Sequence, residues 1–100
     1  MIIRFRSKKL RRAFENKGVA VGKWGPKVGP TYIRRIRSIQ AVEKFEDLRK
    51  LPQLSFHSLT GNRSGEFAIT LIGKMRLILK KEIVDGTDVA IVWEVSDHYE

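Results

Sequence analysis

The sequence contains no cysteine and only two histidines among its 100 residues. The absence of cysteine excludes disulfide bonds and thiolate chemistry, and it is typical of proteins kept in a reducing compartment. Structural zinc sites are built from cysteine and histidine, so the sequence predicts no such site. Glu94, Asp97 and Glu100 fall three residues apart on a strand-like tail, a spacing that sends them to both faces. We therefore expect no bound metal.

Long apolar runs are also missing. No stretch of about 18 uncharged apolar residues is present, so the sequence predicts no membrane-spanning helix. The first residues, MIIRFRSKK, carry charges but no following apolar region of the kind that a signal peptide needs. We therefore expect a cytoplasmic protein without a membrane partner.

Acidic residues are nearly absent from the first third of the chain. Residues 1–37 hold twelve Lys and Arg and one acid, Glu15, whereas residues 51–100 hold five and seven, and the whole chain has a formal net charge of +9. A basic half of this kind is the electrostatic footprint of a protein that binds a polyanion. The alternative is that basic helices merely keep a small domain soluble, although a mixed-sign surface would do so with less self-repulsion.

The hydrophobic periodicity predicts the element order β-α-α-β-β-β in a single domain spanning residues 1–100. Ser7 is the predicted N-cap of the first helix, and Gly73-Lys74 is the predicted hairpin turn between two strands. This order indicates an α+β fold in which two basic helices pack on one face of a mostly antiparallel sheet. The predicted strands are residues 2–6, 67–72, 75–80 and 89–95.

Residues 18–30, GVAVGKWGPKVGP, interrupt the helical pattern. Four glycines and two prolines in this stretch predict a mobile loop, with the second helix starting near Thr31. Trp24 lies in this segment and has two interpretations of equal weight. It could anchor a partner, or it could fold back over the core.

Several polar residues are predicted to meet at one rim of the sheet. The last strand would deliver His98 and Tyr99 there, close to Arg76 on the preceding strand and Arg63 in the link between strands. Metal-free RNA cleavage needs a base for the ribose 2′-OH, an acid for the leaving 5′-oxygen and a cation for the phosphate. Histidine and arginine fit these roles. The alternative is a solvated tail and a surface ion-pair arginine, and His57 is interpreted as a half-buried structural histidine.

The stretch FEDLRKLPQLSFHSLTGNRSGEFAITLIGKMRLILKKE, with VWEVSDHYE after it, resembles the HigB-type toxins of the RelE/ParE superfamily. The resemblance covers residues 45–100 well, whereas the first strand and the two basic helices match in order and charge. It implies a RelE/ParE-like fold and a ribosome-dependent mRNA endonuclease that needs no metal or small-molecule cofactor. It also implies a helix-turn-helix antitoxin partner of the HigA type.

The resemblance assigns roles by position. Arg76 would stabilise the scissile phosphate, and Asp97, His98 and Tyr99 occupy the place of the family's acid–base groups. Arg63 would contact RNA phosphate. The cationic helices would bind ribosomal RNA through phosphates, with these arginines as candidates: Arg11, Arg12, Arg34 and Arg35.

The sequence departs from the family pattern at three places. Thr60 stands where the family has a lysine, for which Lys74 at the hairpin tip is the candidate substitute, and the tail reads Asp-His-Tyr rather than Asp-Tyr-His. Residues 18–30 form a local insertion. Two other functions therefore stay open: inhibition of DNA gyrase by a ParE-like toxin, and RNA binding without cleavage.

Overall fold

The structure, a computed structural model, describes residues 1–97. Within this range the chain forms five strands, two helical stretches and three short 3₁₀ turns. The strands and helices are β1 Ile2–Phe5, α1 Lys8–Glu15, α2 Lys17–Ala41, β2 His57–Ser58, β3 Glu66–Thr70, β4 Arg76–Val84 and β5 Thr87–Ser96. The 3₁₀ turns are Phe45–Lys50, Pro52–Leu54 and Gly61–Arg63.

The five strands form one sheet in the order β1-β5-β4-β3-β2. β1 pairs with β5 in parallel, and all other neighbours are antiparallel. The β3–β4 connection turns at Gly73, whose φ is 56°, and Met75 N donates to Ile72 O at 2.9 Å. Asp85 and Gly86 both have positive φ at the β4–β5 turn, the backbone that a two-residue hairpin of type I′ requires.

The predicted α+β fold, with its mostly antiparallel sheet, is confirmed. The structure adds a short strand, β2, which pairs His57 with Ala68 at the sheet edge. Ser7 is the N-cap of α1 as predicted, because its Oγ accepts a hydrogen bond from Leu10 N at 3.2 Å. Among the helices of residues 1–97, none is long and apolar enough to cross a bilayer.

The predicted loop over residues 18–30 is wrong, because this segment is helical and belongs to α2. The helix breaks at Gly25, with φ 92° and ψ 170°, and Pro26 starts the next segment at a position where a missing N–H costs little. In a straight helix nine residues span about 13 Å. A Cβ built on Gly29 would nevertheless lie 2.8 Å from Ala20 C, so the two segments fold back against each other. Gly25 thus allows the break in the helix, and Gly29 allows the two segments to pack closely.

The core lies between the helices and one face of the sheet. Ile36 and Ile39 of α2 and Leu77 and Val92 of the sheet are fully buried there. Tyr32 is also fully buried, and its hydroxyl donates to Leu10 O at 2.7 Å, which joins the second segment of α2 to α1. Burial raises the pKa of Tyr32 above its ordinary value. The helices do not cover the opposite face of the sheet.

Candidate functional site

The face of the sheet turned away from the helices carries three of the polar residues that the sequence singles out, Arg63, Arg76 and His57. We call it the open face. Alternation along the strands places Arg76, Ile78 and Lys80 of β4 on this side, while Leu77 and Leu79 enter the core. Its small apolar patch consists of Leu59, Ala68, Ile78 and Trp93.

A β-bulge in β5 puts two consecutive residues on the open face. The pairing shifts between Ile78, which faces Glu94, and Leu79, which faces Val92, so Trp93 is the extra residue. Bulges re-aim side chains in this way at sites of function. As a result the Trp93 indole and the Glu94 carboxylate lie next to each other on one side of the sheet.

Two cations lie over the Trp93 ring. Lys80 Nζ is 3.7 Å from the ring centroid, and Arg6 Cζ is 4.2 Å from it. Such contacts place positive charge on an aromatic face at modest energetic gain. The open face therefore offers an indole with guanidinium and ammonium groups directly beside it.

Arg63 forms an ion-pair cluster at the other side of the open face. Its guanidinium contacts Glu66 at 2.7 Å and also hydrogen-bonds Glu94. The hydrogen bond to Glu94, reinforced by Glu66, raises the pKa of Arg63. Two carboxylates thus already engage the guanidinium that was predicted to bind RNA phosphate, and that role stays a prediction.

Arg76 is the first residue of β4 and is half-buried at the rim of the open face. It pairs with Thr70 of β3 and with Ser96, the last residue of β5. Its Nη1 donates to Gly73 O at 2.7 Å and to Met75 O at 2.9 Å, so the hairpin holds the guanidinium. Arg76 is therefore positioned beside the point where β5 ends.

The tail predicted to carry acid–base chemistry begins at that point. Asp97 is exposed and follows Ser96 directly. His98 and Tyr99 lie outside the described residues, and so does Glu100. The topology therefore brings Arg76 and Asp97 to the same rim of the sheet, and the acid–base role of the tail stays a prediction.

His57 differs from its sequence-based interpretation. It is exposed rather than half-buried, its Nδ1 lies 2.9 Å from Ser55 O, and its pairing with Ala68 puts it on the open face. His57 lies in a strand of only two residues at the sheet edge, where a side chain receives little cover, and a strand this short gives no sequence signal. His57 is thus on the same face of the sheet as Arg76.

The remaining predicted cations are spread over the hairpin tip and the helices. Lys74 is exposed beside Gly73, and Arg11 and Arg12 are exposed on α1. Arg34 is exposed on α2 and donates to Thr31 Oγ1 at 2.9 Å. Arg35 instead donates through Nε to Thr70 O at 3.0 Å, so it ties α2 to the end of β3.

Burial and the neighbouring Arg34 charge lower the pKa of Arg35. Residues 1–42 contain one acid, Glu15, so the helices form an almost wholly cationic outer surface. A groove of about 340 Å³ between α1 and α2 has Lys17, Arg34 and Arg37 in its lining. Within residues 1–97, no three His, Asp or Glu side chains gather as a metal would require.

The chain is similar in structure to the YoeB/ParE toxin from Agrobacterium tumefaciens. The TM-score is 0.59, the sequence identity is 11%, and the match covers 99% of this chain and 100% of that one. The fold is RelE/ParE-like. At this identity the likeness establishes the fold alone. No protein-family model and no curated protein sequence matches the chain.

The RelE/ParE-like fold explains why residues distant in sequence share the open face. The parallel β1 delivers Arg6 to Trp93 from one side of β5, and the β3–β4 hairpin delivers Arg76 to Ser96, three positions further along the same strand, from the other side. The match extends over the basic helices as well as residues 45–100, the part in which the sequence motif is found. The match therefore also spans residues 18–30, which are helical in this chain.

Proposed function

We propose that this protein is the toxin of a type II toxin–antitoxin pair, of the HigB type, and that it cleaves mRNA in the ribosomal A site. One observation carries the proposal: Arg76 is held at the rim of the open face, beside the end of β5 from which Asp97 follows. The RelE/ParE-like fold and the sequence motif from residue 45 onward support the same reading.

The proposed chemistry assigns each group one step. The 2′-OH of the ribose attacks the adjacent phosphorus, and the bond to the 5′-oxygen of the next nucleotide breaks. Arg76 stabilises the negative charge that gathers on the phosphate oxygens, because arginine stays charged and binds phosphate with two donors. The tail residues Asp97, His98 and Tyr99 take the proton from the 2′-OH and give one to the leaving 5′-oxygen.

The proposed partners follow from charge. The cationic outer surface of α1 and α2 binds ribosomal RNA phosphates, and the open face holds the mRNA strand. A helix-turn-helix antitoxin of the HigA type neutralises the toxin, with an acidic segment placed over the same cations. No cofactor enters the reaction.

Primer extension on translating ribosomes tests the proposal. We expect cuts only on ribosome-bound mRNA and none on naked mRNA. Arg76→Ala should lower cleavage by about 100-fold, the typical loss when one charge-stabilising donor is removed. Tyr99→Ala should abolish cleavage of the ribosome-bound mRNA. Arg49→Ala is the matched control, because Arg49 lies on a 3₁₀ turn and pairs with Glu46. A protein that stops growth but makes no cuts would sink the nuclease proposal.

Two observations favour a second function, inhibition of DNA gyrase by a non-catalytic toxin. Arg63, expected to bind RNA phosphate, is already paired with two carboxylates. Thr60 stands where the family has a lysine, so that cation is missing. If this function holds, growth arrest survives Arg76→Ala and purified gyrase loses supercoiling activity. Binding to ribosomes without either effect would indicate an RNA-binding module.

A further inference from the structure

A cleft of about 350 Å³ lies beside the bulged part of β5 and contacts residues of α1 and α2. Both tryptophans of the chain, Trp24 and Trp93, line it. Its lining also includes three cations, Arg6, Lys9 and Lys23, and one carboxylate, Glu94. The function proposed above uses neither tryptophan.

The cleft is electrostatically positive. Among residues 1–97, Glu94 is the only acid in its lining, and Arg63 hydrogen-bonds it from outside the cleft. Arg6, Lys9 and Lys23 form no salt bridge within residues 1–97. A bound anion would therefore meet three cations whose charge is not committed to a carboxylate.

The aromatic groups of the cleft differ in how they are held. Trp24 packs against Tyr32, with ring centroids 4.5 Å apart, and is part of the core edge. Trp93 packs on the apolar patch of the open face, and the charged ends of Arg6 and Lys80 lie over its ring. Long side chains of this kind can leave the ring at small cost and reach a nearby phosphate. The cations over Trp93, at 3.7 and 4.2 Å, are closer than Lys23 is to the Trp24 ring, at 5.7 Å, so Trp93 is the ring at which a ligand would meet two charged groups.

We propose that this cleft binds one nucleotide of a single-stranded RNA. The base stacks on Trp93 in place of one of the two cations, and the displaced cation joins Lys9 and Lys23 at the phosphate. An apolar ligand would not bind the three cations, and a simple anion would not stack on the indole. A nucleotide can do both, because its base stacks and its phosphate binds cations.

This assignment rests on the proposed function and extends it to a base next to the cleavage point. Trp93 and Ser96 are three positions apart on β5, a distance of about 10 Å, and Ser96 pairs with Arg76. A short RNA segment whose scissile phosphate lies at Arg76 would therefore place a neighbouring base at Trp93. The cleft would sense which base stands there through its stacking strength.

The test is a fluorescence titration with the variant Trp24→Phe, in which Trp93 is the single tryptophan. The probe is a six-nucleotide adenine RNA with every 2′-OH methylated, which no 2′-OH attack can cleave. We expect saturable quenching of Trp93 by this RNA. A ribose-phosphate hexamer without bases and a hexamer of glutamate should both leave the fluorescence unchanged. Equal quenching by either one would overturn the assignment to a nucleotide.

Variants of the cleft supply the affinity measurement in fluorescence anisotropy with labelled RNA. Trp93→Leu should weaken binding by about tenfold, the usual effect of losing one stacked base. Lys80→Gln and Arg6→Gln should each weaken it by a smaller factor. Lys81→Gln is the matched control, because Lys81 follows Lys80 on β4 but is exposed and does not contact Trp93.

The outcomes separate this proposal from the nuclease proposal. Because Trp93 packs on Leu59, Ala68 and Ile78, Trp93→Leu is checked by circular dichroism, and the Trp24→Phe titration does not depend on it. Unchanged Trp93 fluorescence at saturating RNA, with unchanged affinity in Trp93→Leu, overturns the nucleotide site even if mRNA is cleaved. Quenching without any cleavage on ribosomes upholds the site and overturns the nuclease.

Discussion

The guanidinium of Arg63 is hydrogen-bonded to the carboxylate of Glu94, 31 residues later in the chain. This pair joins the 3₁₀ turn before β3 to the bulge of β5, and Glu66 contacts the same guanidinium at 2.7 Å. The three side chains therefore connect β3 and β5 across the face of β4. The contribution of this pair to the free energy of unfolding can be measured without an activity assay.

We expect a double-mutant cycle of Arg63→Ala and Glu94→Gln to give a coupling energy of about 1 kcal/mol in urea unfolding. The value stays small because Glu94 is 37% exposed and water screens the pair. The matched cycle on Arg49 and Glu46, which are 49% and 63% exposed, should give a coupling near zero. Equal coupling in the two cycles would show that the open-face pair is an ordinary surface contact.

The packing of Gly29 against Ala20 predicts opposite effects at two glycines of the same helix. Gly29→Ala should lower the free energy of unfolding by about 2 kcal/mol or more, because the new Cβ would lie 2.7 Å from Val21 N. Gly22→Ala should raise it by about 0.5 to 1 kcal/mol, because no atom lies within 4 Å and alanine favours helix. Urea unfolding followed by circular dichroism measures both, and a tolerated Gly29→Ala would contradict the fold-back at Gly25.

The buried hydroxyl of Tyr32 predicts a loss of stability at alkaline pH. Burial raises the pKa of Tyr32 in the folded state, so its contribution is complete below about pH 10, the pKa of an exposed tyrosine, and is lost as the pH rises further. The free energy of unfolding should fall by about 1.4 kcal/mol for each pH unit above 10. In Tyr32→Phe this contribution should vanish, at a cost of about 1 kcal/mol below pH 9 for the lost hydrogen bond. An unaltered alkaline slope in the variant would argue against the buried hydroxyl.

The cationic helix surface predicts how binding to ribosomes depends on salt. Replacing Arg11 and Arg12 by glutamine should reduce the slope of log affinity against log salt by about 0.9 for each duplex phosphate contact that is lost. Both side chains are exposed, so the fold should tolerate the change. Co-sedimentation with ribosomes at several KCl concentrations gives the slope, with Arg49→Gln as control. A slope that stays constant in the double variant would remove α1 from the contact surface.

Strands β1, β3, β4 and β5 could be predicted from sequence because their local signals agree with their packing, whereas β2 and the last part of β4 were not predicted. The apolar alternation around Leu77 and Val92 and the turn residues Gly73 and Asp85-Gly86 each point to the same hairpins. Helix α2 could not be predicted in this way. Its glycines and prolines serve a break and a close approach of two segments, both of which depend on residues that are distant in sequence.

Part of the candidate site could also be predicted from the sequence, and part could not. The hairpin and the strand order predict the rim at which Arg76 meets the end of β5, and the role of the tail there stays a prediction. The engagement of Arg63 by Glu94 could not be predicted, because it depends on a one-residue bulge at Trp93 that leaves no mark in the alternation. The exposure of His57 also escaped prediction, because a strand of two residues is too short to show a period.

The parallel pairing of β1 with β5 has a consequence for how the chain folds. Ile2 lies beside Val89 and Phe5 beside Val92, so the earliest strand has its only partner within residues 1–97 in the latest one. Pairings of such large sequence separation form slowly, and during synthesis β1 emerges long before β5 exists. The open face needs Arg6 from one side of this pair and Trp93 from the other. A nascent chain therefore carries its helices early, but it assembles the complete face only after β5 has been synthesised.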